Sequence, residues 1–174
     1  VTVENVDPAG SIDTLTITGV EESDAAFGDL SVTSGGGTGD VVLELDSTDD
    51  TELGADADFG ITSDGTSGDV TLAISGTGSV TVNANANLTG IDAYTVEAGA
   101  TLELTGAQAD GLTIGGAGNV TLTGVQAGQD LSGLSVTGDV TVQFDDETET
   151  EFTLPASAIS GRTVTVENVD PAGS

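Results

Sequence analysis

The chain has 174 residues, of which 30 are acidic and only one, Arg162, is basic, so its formal net charge is −29. A surface with this charge repels phosphate backbones and anionic lipid headgroups, which excludes nucleic acids and membrane surfaces as partners. The chain lacks cysteine and histidine and contains no apolar run of about 18 residues, which excludes disulfides, thiol catalysis and insertion of a helix into a membrane.

The composition favours short β-strands joined by tight turns. The apolar residues are mostly Val, Leu, Ile and Ala, glycine occurs 26 times, and aromatic residues make up only 3%. β-Branched residues fit the pleated surface of a sheet, and glycine tolerates the positive φ of tight turns. We therefore expect an all-β fold with a thin, layered core and no helix, with a loop in the acidic segment at residues 21–26.

The first predicted strand belongs to a segment that occurs twice. VTVENVDPAGS spans residues 1–11 and recurs without change at residues 164–174. This identity indicates a parent protein with tandem repeats that each begin with this segment, although an engineered overlap would produce it too. Residues 1–163 are then one full β-repeat unit, and residues 164–174 are the first strand and turn of the next repeat.

Acidic residues cluster after the strand predicted at residues 41–45. Asp46, Asp49 and Asp50 would lie in one loop, and Asp56 and Asp58 follow at alternate positions. Ca²⁺ binds about six to eight oxygen ligands, many of them carboxylates, so these five residues form a candidate calcium site. The alternative is a solvated acidic face that keeps the protein soluble. In either case salt or bound cations would relieve the repulsion among the acids.

A short signature recurs along the chain: a glycine, a small or polar residue, then apolar residues that alternate with threonine or other polar residues. It begins at Gly28, Gly39, Gly68, Gly78, Gly99, Gly118, Gly138 and Gly161. From Gly78 onward it recurs at a step of about 20 residues, a period typical of stacked repeat architectures. A repeat that spans residues 1–163 would then contain about eight coils.

Two folds fit this period. In a β-solenoid each coil of about 20 residues adds one rung, and the rungs stack through parallel hydrogen bonds. In tandem β-sandwiches the same strands would pair as antiparallel hairpins. The small aliphatic side chains and the short step favour the solenoid. Along the strand predicted at residues 120–123, period-two alternation places Val120 and Leu122 in the core and Thr121 and Thr123 on the outside.

The segment LELTGAQADGLTIGGAGNVTLTGVQAGQDLSGLSVTGDVTV, residues 102–142, resembles the β-strand repeats of very large bacterial surface proteins of S-layer and adhesin type. The resemblance extends over roughly residues 70–166. It implies a secreted protein with a structural, adhesive or biofilm-matrix role, often with bound Ca²⁺. The calcium-binding nonapeptide of RTX-type β-rolls is not present, because residues 36–40 and 115–119 each lack one residue before the acid position.

No set of residues points to catalysis, because a nucleophile needs a neighbouring base and the chain has no histidine, cysteine or lysine. We expect a non-enzymatic structural subunit of an extracellular filament, sheath, matrix or S-layer assembly, whose partners are copies of itself. The alternative is a spacer, stalk or binding module of a large adhesin. Strand edges pair readily with other chains, so the duplicated strand supplies the predicted interface residues: Val1, Val3, Val6, Val164, Val166 and Val169.

Overall fold

The computed structural model describes residues 2–6, 13–20, 31–34, 40–54, 69–144, 154, 156 and 163–167. These residues form mainly β-strands, together with a helical turn at Gly106–Ala109. The strands are β1 (Thr2–Val6), β2 (Asp13–Val20), β3 (Ser31–Ser34), β4 (Val41–Ser47), β5 (Thr51–Leu53), β6 (Val70–Gly76), β7 (Ser79–Val82), β8 (Ala93–Val96), β9 (Thr101–Thr105), β10 (Thr113–Gly116), β11 (Asn119–Val125), β12 (Val140–Phe144) and β13 (Val164–Glu167), and the helical turn is α1 (Gly106–Ala109).

The described strands pair in parallel and alternate between two sheets. β2, β4, β6, β8 and β10 form a five-stranded first sheet, and β5, β7, β9, β11, β12 and β13 form a six-stranded second sheet. β1 and β3 form a separate pair. A chain that crosses repeatedly between two parallel sheets winds into a β-solenoid, so the predicted fold class is confirmed. The tandem β-sandwich is wrong, because no antiparallel pair links strands within the described ranges.

Coil length changes along the solenoid. Successive coils lie about 22 residues apart, and residues 69–144 complete about four turns. In the first sheet Asp13 pairs with Val41 and Val41 with Val70. Ala93 pairs with Thr113, which is a much shorter step. The step predicted from the glycine signature therefore agrees with the observed coil length after residue 70. Before residue 70 the observed coils are longer than predicted.

The reason is that the signature marks two different corners of a coil. Gly39 comes just before a strand of the first sheet, whereas Gly78 comes just before a strand of the second sheet. The distance between them does not correspond to a whole number of coils, so counting signatures overestimates the number of coils in the first half of the chain.

Aliphatic side chains fill the space between the two sheets. Along β11, Val120 and Leu122 are buried and Thr121 and Thr123 are only half-buried, as the alternation predicts. Burying one Val or Leu side chain contributes about 1.5–3 kcal/mol, so these rows supply much of the free energy of folding. The largest side chains with almost no exposed surface are Leu43, Leu45, Leu53, Leu72, Ile74, Tyr94, Leu102, Leu104, Ile114 and Leu122.

Among the described residues, the signature glycines Gly78, Gly118 and Gly138 lie where the corner of one coil stacks closely on the corner before it. An added Cβ at Gly78, Gly118 or Gly138 would meet backbone atoms of the preceding coil at less than 3 Å. Gly116, in the same corner as Gly118, has a φ of 109°, which disfavours any residue with a side chain. Glycine is therefore required at these corners both by close approach and by backbone conformation.

The helical turn α1 corrects the expectation of a chain without helix. Thr105 and Gln108 form a capping box: the Gln108 N–H donates to Thr105 Oγ1 at 3.2 Å, and the Thr105 N–H donates to Gln108 Oε1 at 3.0 Å. Gln108 also donates through Nε2 to the carbonyl of Asn83 at 2.8 Å. Local capping therefore turns a corner into one helical turn. The acidic segment at residues 21–26 lies outside the described residues.

Within the part of the chain that the structure describes, no helix is long and apolar enough to cross a membrane.

Candidate functional site

The duplicated segment supplies the first and the last described strands of the solenoid. Its second copy forms β13, which pairs with β12 at the end of the second sheet, and its first copy forms β1, which pairs with β3. Of the predicted interface residues, Val3, Val6, Val164 and Val166 lie in these strands, and Val1 and Val169 lie outside the described residues. Contact between copies of the chain at these residues stays a prediction.

β13 pairs with β12 and forms the strand of one more coil. Val164 is aligned with Val140 of the preceding coil, and the Val140 N–H donates to the Thr163 carbonyl at 3.1 Å. The Thr163 N–H in turn donates to Asp139 Oδ1 at 3.3 Å. Val164 is half-buried and Thr165 is exposed, so the inward and outward alternation of the second sheet continues into β13.

β1 has the same sequence but a different neighbour. Its register aligns Thr2 with Ser31 and Val3 with Val32, and an irregularity follows between Val3 and Val6. Among the described strands, neither β1 nor β13 has a partner on its second edge. An unpaired strand edge presents a row of N–H and C=O groups that can accept another strand. The two copies of one sequence therefore each occupy a sheet terminus.

The predicted calcium residues are only partly described. Asp46 lies in β4, Asp49 and Asp50 lie in the corner between β4 and β5, and Asp56 and Asp58 lie outside the described residues. The structure therefore brings Asp46, Asp49 and Asp50 to the same end of β4. It says nothing about the remaining two positions.

Within that corner, one carboxylate oxygen of Asp50 and the backbone carbonyl of Asp49 accept hydrogen bonds from the protein. Asp50 Oδ1 accepts hydrogen bonds from the Ser79 hydroxyl at 2.6 Å and the Ser79 N–H at 3.2 Å. These two hydrogen bonds hold the pKa of Asp50 below its usual value, and the bond from the hydroxyl has the larger effect. The Asp49 carbonyl accepts from the hydroxyls of Ser47 and Thr51.

The described ranges contain no group of three or more Asp, Glu, His or Cys side chains placed to hold a metal ion. The calcium site over Asp46 to Asp58 therefore stays a prediction that depends on residues outside those ranges.

A ladder of side-chain hydrogen bonds, which was not predicted from the sequence, runs along the corners. Asn119 Oδ1 accepts from the Asp139 N–H at 2.9 Å, and Asp139 Oδ1 accepts from the Thr163 N–H at 3.3 Å. At the other corner, Asp40 Oδ1 accepts from the Asp69 N–H at 3.0 Å. Each bond ties a residue to its counterpart one coil later. The signal was the small or polar residue that follows each signature glycine, which the alternation argument did not use.

The outer face of the second sheet is polar. The register aligns one outward residue from each strand into a single row, formed by Glu52, Thr81, Glu103, Thr121, Thr141 and Thr165. The aromatic residues whose side chains the structure describes, Tyr94 and Phe144, are both buried in the core. The described part of this face therefore offers hydroxyl and carboxylate groups but no aromatic ring on which a sugar could stack.

Comparison with protein families, with curated proteins and with solved structures gives no match for this chain. The geometry establishes the class of protein, which is a parallel β-solenoid. Side-chain hydrogen bonds from Asp and Asn residues link some of its neighbouring corners. The similarity to S-layer-like and adhesin-like repeats remains a resemblance in the sequence.

Proposed function

We propose that this chain is a structural subunit of an extracellular filament, sheath, matrix or S-layer assembly built from tandem β repeats. The observation that carries the proposal is the position of the duplicated strand. One copy is paired on β12 and the other on β3, and both lie at sheet termini among the described strands. A repeat whose two ends carry the same strand is suited to be joined to further copies of itself.

The solenoid also has the mechanical properties that such a role needs. Neighbouring described strands are joined by parallel pairing, a buried aliphatic core runs from Leu43 to Phe144, and the corner ladder adds bonds such as those from Asn119 through Asp139 to Thr163. In stacked repeat proteins each unit contacts only its neighbours, so length can increase without any new type of contact. Such a rod can serve as a fibre or as a stiff spacer.

The charge supports an extracellular or cell-surface location. A net charge of −29 on 174 residues produces strong self-repulsion, which salt and divalent cations outside the cell would reduce. Ca²⁺ is the cofactor we propose for this purpose, with Asp46, Asp49, Asp50, Asp56 and Asp58 as the candidate ligands. The lack of histidine, cysteine and lysine supports a role without enzymatic activity.

A spacer or stalk in a large adhesin is the second candidate. The row of Thr and Glu residues on the outer face of the second sheet favours it, because the described part of this face lacks the exposed aromatic groups that anchor many binding surfaces. In this role copies would follow one another along one chain, and separate molecules would not associate.

Electron microscopy of the purified chain tests the proposal, once in millimolar Ca²⁺ and once in chelator. Regular fibres or sheets are the expected result, and their loss in chelator would place Ca²⁺ at the contacts between copies. Dispersed particles under both conditions, at high protein concentration, would contradict self-assembly and favour the passive spacer. Fibres that persist in chelator would support the structural role and contradict the calcium requirement.

A further inference from the structure

We propose that copies of this chain join head to tail by strand exchange at one defined register. In this junction, β13 of one copy takes the place of β1 on β3 of the next copy. The segment Val164–Glu167 is then hydrogen-bonded to its own β12 on one edge and to the next copy's β3 on the other. The inference deepens the proposed function and rests on it, because it names the partner and the contact through which the subunits assemble.

The two strands are interchangeable in sequence. Residues 164–174 repeat residues 1–11 without change, so whatever β3 recognises in β1 is also present in β13. Each copy of this sequence is paired in parallel on one edge: β13 pairs with β12, and β1 pairs with β3. A strand inside a parallel sheet is paired on both edges. One copy of the segment could therefore satisfy both neighbours.

The register of the shared strand is compatible with its neighbours on both sides. On β12, Thr165 is aligned with Thr141, and on β3 its copy Thr2 is aligned with Ser31. A polar row would therefore pass through the shared strand without interruption. The neighbouring row is apolar on both sides as well: Leu122, Val142 and Val166 are aligned in the second sheet, and Val3, the copy of Val166, is aligned with Val32. A register slip of one residue would place apolar residues opposite polar ones on both sides.

β13 is bonded to the solenoid in the same way as the coil before it. The corner ladder reaches it, because Thr163, the residue just before β13, is the last described member of the series from Asn119 through Asp139. The backbone bond from Val140 to the Thr163 carbonyl has an ordinary length of 3.1 Å. β13 is thus held on one edge and presents the other.

The spacing of the strands further indicates that the repeat spans a whole number of coils. The first sheet advances from Asp13 through β4, β6, β8 and β10 to the bridge at Leu134, which makes six coils. The next copy of Asp13 would fall just beyond Ser174, which leaves room for two more steps after Leu134. Leu154 is half-buried against the core, and its spacing from Leu134 matches the seventh position. Seven coils would lengthen the rod by about 34 Å per copy, given a strand spacing of about 4.8 Å.

A full-length test uses two introduced cysteines, since the native chain has none. Thr2 and Ser31 are register partners within one chain, and Thr165 is the copy of Thr2. In the variant T165C/S31C, strand exchange brings the two sulfurs together between molecules, so oxidation should yield a ladder of covalent multimers on a denaturing gel. The matched control, T2C/S31C, should give an oxidised monomer with an internal bridge.

A deletion series tests the same junction without cysteines. Removing residues 1–11 takes away the strand that competes for β3, so this variant should form concentration-dependent linear chains by light scattering, with an axial repeat of about 34 Å in electron micrographs. Removing residues 1–11 and 164–174 together leaves no donor strand and should give monomers. The free peptide VTVENVDPAGS should cap β3 and shorten the chains made by the first variant.

The outcomes separate this junction from the proposed function as a whole. If oxidised T165C/S31C gives only monomers while T2C/S31C forms its internal bridge, the strand exchange is wrong. This holds even if electron micrographs of the full chain show assemblies. Equal association of the double-deletion variant would also overturn it, because association would then not need the donor strand. Exchange in the cysteine and deletion variants without any fibre from the full chain would leave the junction intact and contradict the filament role.

Discussion

Two parts of the solenoid differ in their charge and in the length of their coils. A third of the positions from 40 to 69 are acidic, whereas fewer than a tenth of those from 70 to 144 are. The first part also has the longer steps: Thr51 of β5 pairs with Val80, whereas Val120 pairs with Val140, so the first step is nearly half as long again as the second. We name these parts the acidic coils, residues 40–69, and the compact coils, residues 70–144.

The comparison indicates that the core and the corners set strand alignment, while coil length is free to vary. Inward residues remain buried in both parts: Leu43 and Leu45 in the acidic coils are as inaccessible as Leu102 and Leu122 in the compact coils. The additional residues of the longer coils lie between the described strands. A longer connection there adds little to the entropy cost of closing the loop. The acidic coils can thus carry charge without a change of architecture.

The largest effect is expected from a cavity in the compact coils. Leu122 is fully buried, and β11 is paired on both edges, with β9 and β12. Leu122→Ala should lower the free energy of unfolding by about 2–5 kcal/mol, because neighbours held on both sides cannot collapse into the space. The matched variant in the acidic coils is Leu53→Ala, where the leucine is equally buried but its strand, β5, has one described neighbour.

Urea denaturation of both variants measures this difference, and we expect the loss for Leu122→Ala to exceed the loss for Leu53→Ala. Equal losses of unfolding free energy, or a larger loss for Leu53→Ala, would contradict the expectation that a strand paired on both edges leaves its neighbours less able to collapse into the cavity.

A clash at a stacked corner should have the next largest effect. A Cβ at Gly138 would meet the backbone of Gly118 at less than 3 Å. Gly138→Ala should therefore destabilise the protein by about 1–3 kcal/mol, the usual cost of overpacking. Gly115→Ala is the control, because its Cβ would meet only the Ser135 hydroxyl, at an ordinary 3.5 Å. Thermal unfolding should show a lowered Tm for the first variant alone, and similar shifts for both would refute the close stacking.

A gain in stability is expected at the one tyrosine. Tyr94 is 1% exposed, its hydroxyl has no hydrogen-bond partner within the described structure, and burial raises the pKa of the phenol above its ordinary value. Tyr94→Phe removes the unsatisfied hydroxyl and should stabilise the protein by about 1 kcal/mol near neutral pH. A destabilised variant would indicate a partner for the hydroxyl, such as a buried water.

The same residue predicts a loss of stability in alkali. The unfolded chain releases the phenol proton above a pH of about 10, whereas the folded chain holds it to higher pH, so stability is retained below that pH and falls above it. Because Tyr94 is the only tyrosine and there is no tryptophan, absorbance at the phenolate wavelength reports it directly. We expect the phenolate to appear together with unfolding, and a reversible titration of the folded protein near its ordinary pKa would refute this.

The smallest expected effect is a response to salt confined to the acidic coils. Raising the ionic strength from about 0.01 M to 1 M shortens the screening length from about 30 Å to 3 Å and should relieve repulsion among Asp46, Asp49 and Asp50. Hydrogen exchange should then slow several-fold at the amides of β4 and β5, and much less at those of β9 and β11. Uniform slowing over all four strands would mean that the two parts unfold as one unit.

Much of the fold was accessible from the sequence because its rules are local. Alternation of valine and threonine predicted which residues of β11 face the core, and the spacing of glycines after residue 78 predicted the coil step closely. The helical turn α1 was missed because a single turn is too short to show helical periodicity. The candidate calcium residues were easy to pick out as a cluster, but proximity in sequence did not indicate that Asp50 is bonded to Ser79 on the next coil.

The sequence by itself determined that the chain is mostly β, that it is built from short repeated strands, that it is strongly acidic and that its first eleven residues recur at its end. Only the tertiary structure decided between parallel coils and antiparallel hairpins, since both have the same alternation and turn residues and differ in which strands meet. It also decided that the two copies of VTVENV lie on different neighbours. That difference depends on pairings between residues of separate coils, which no local pattern encodes.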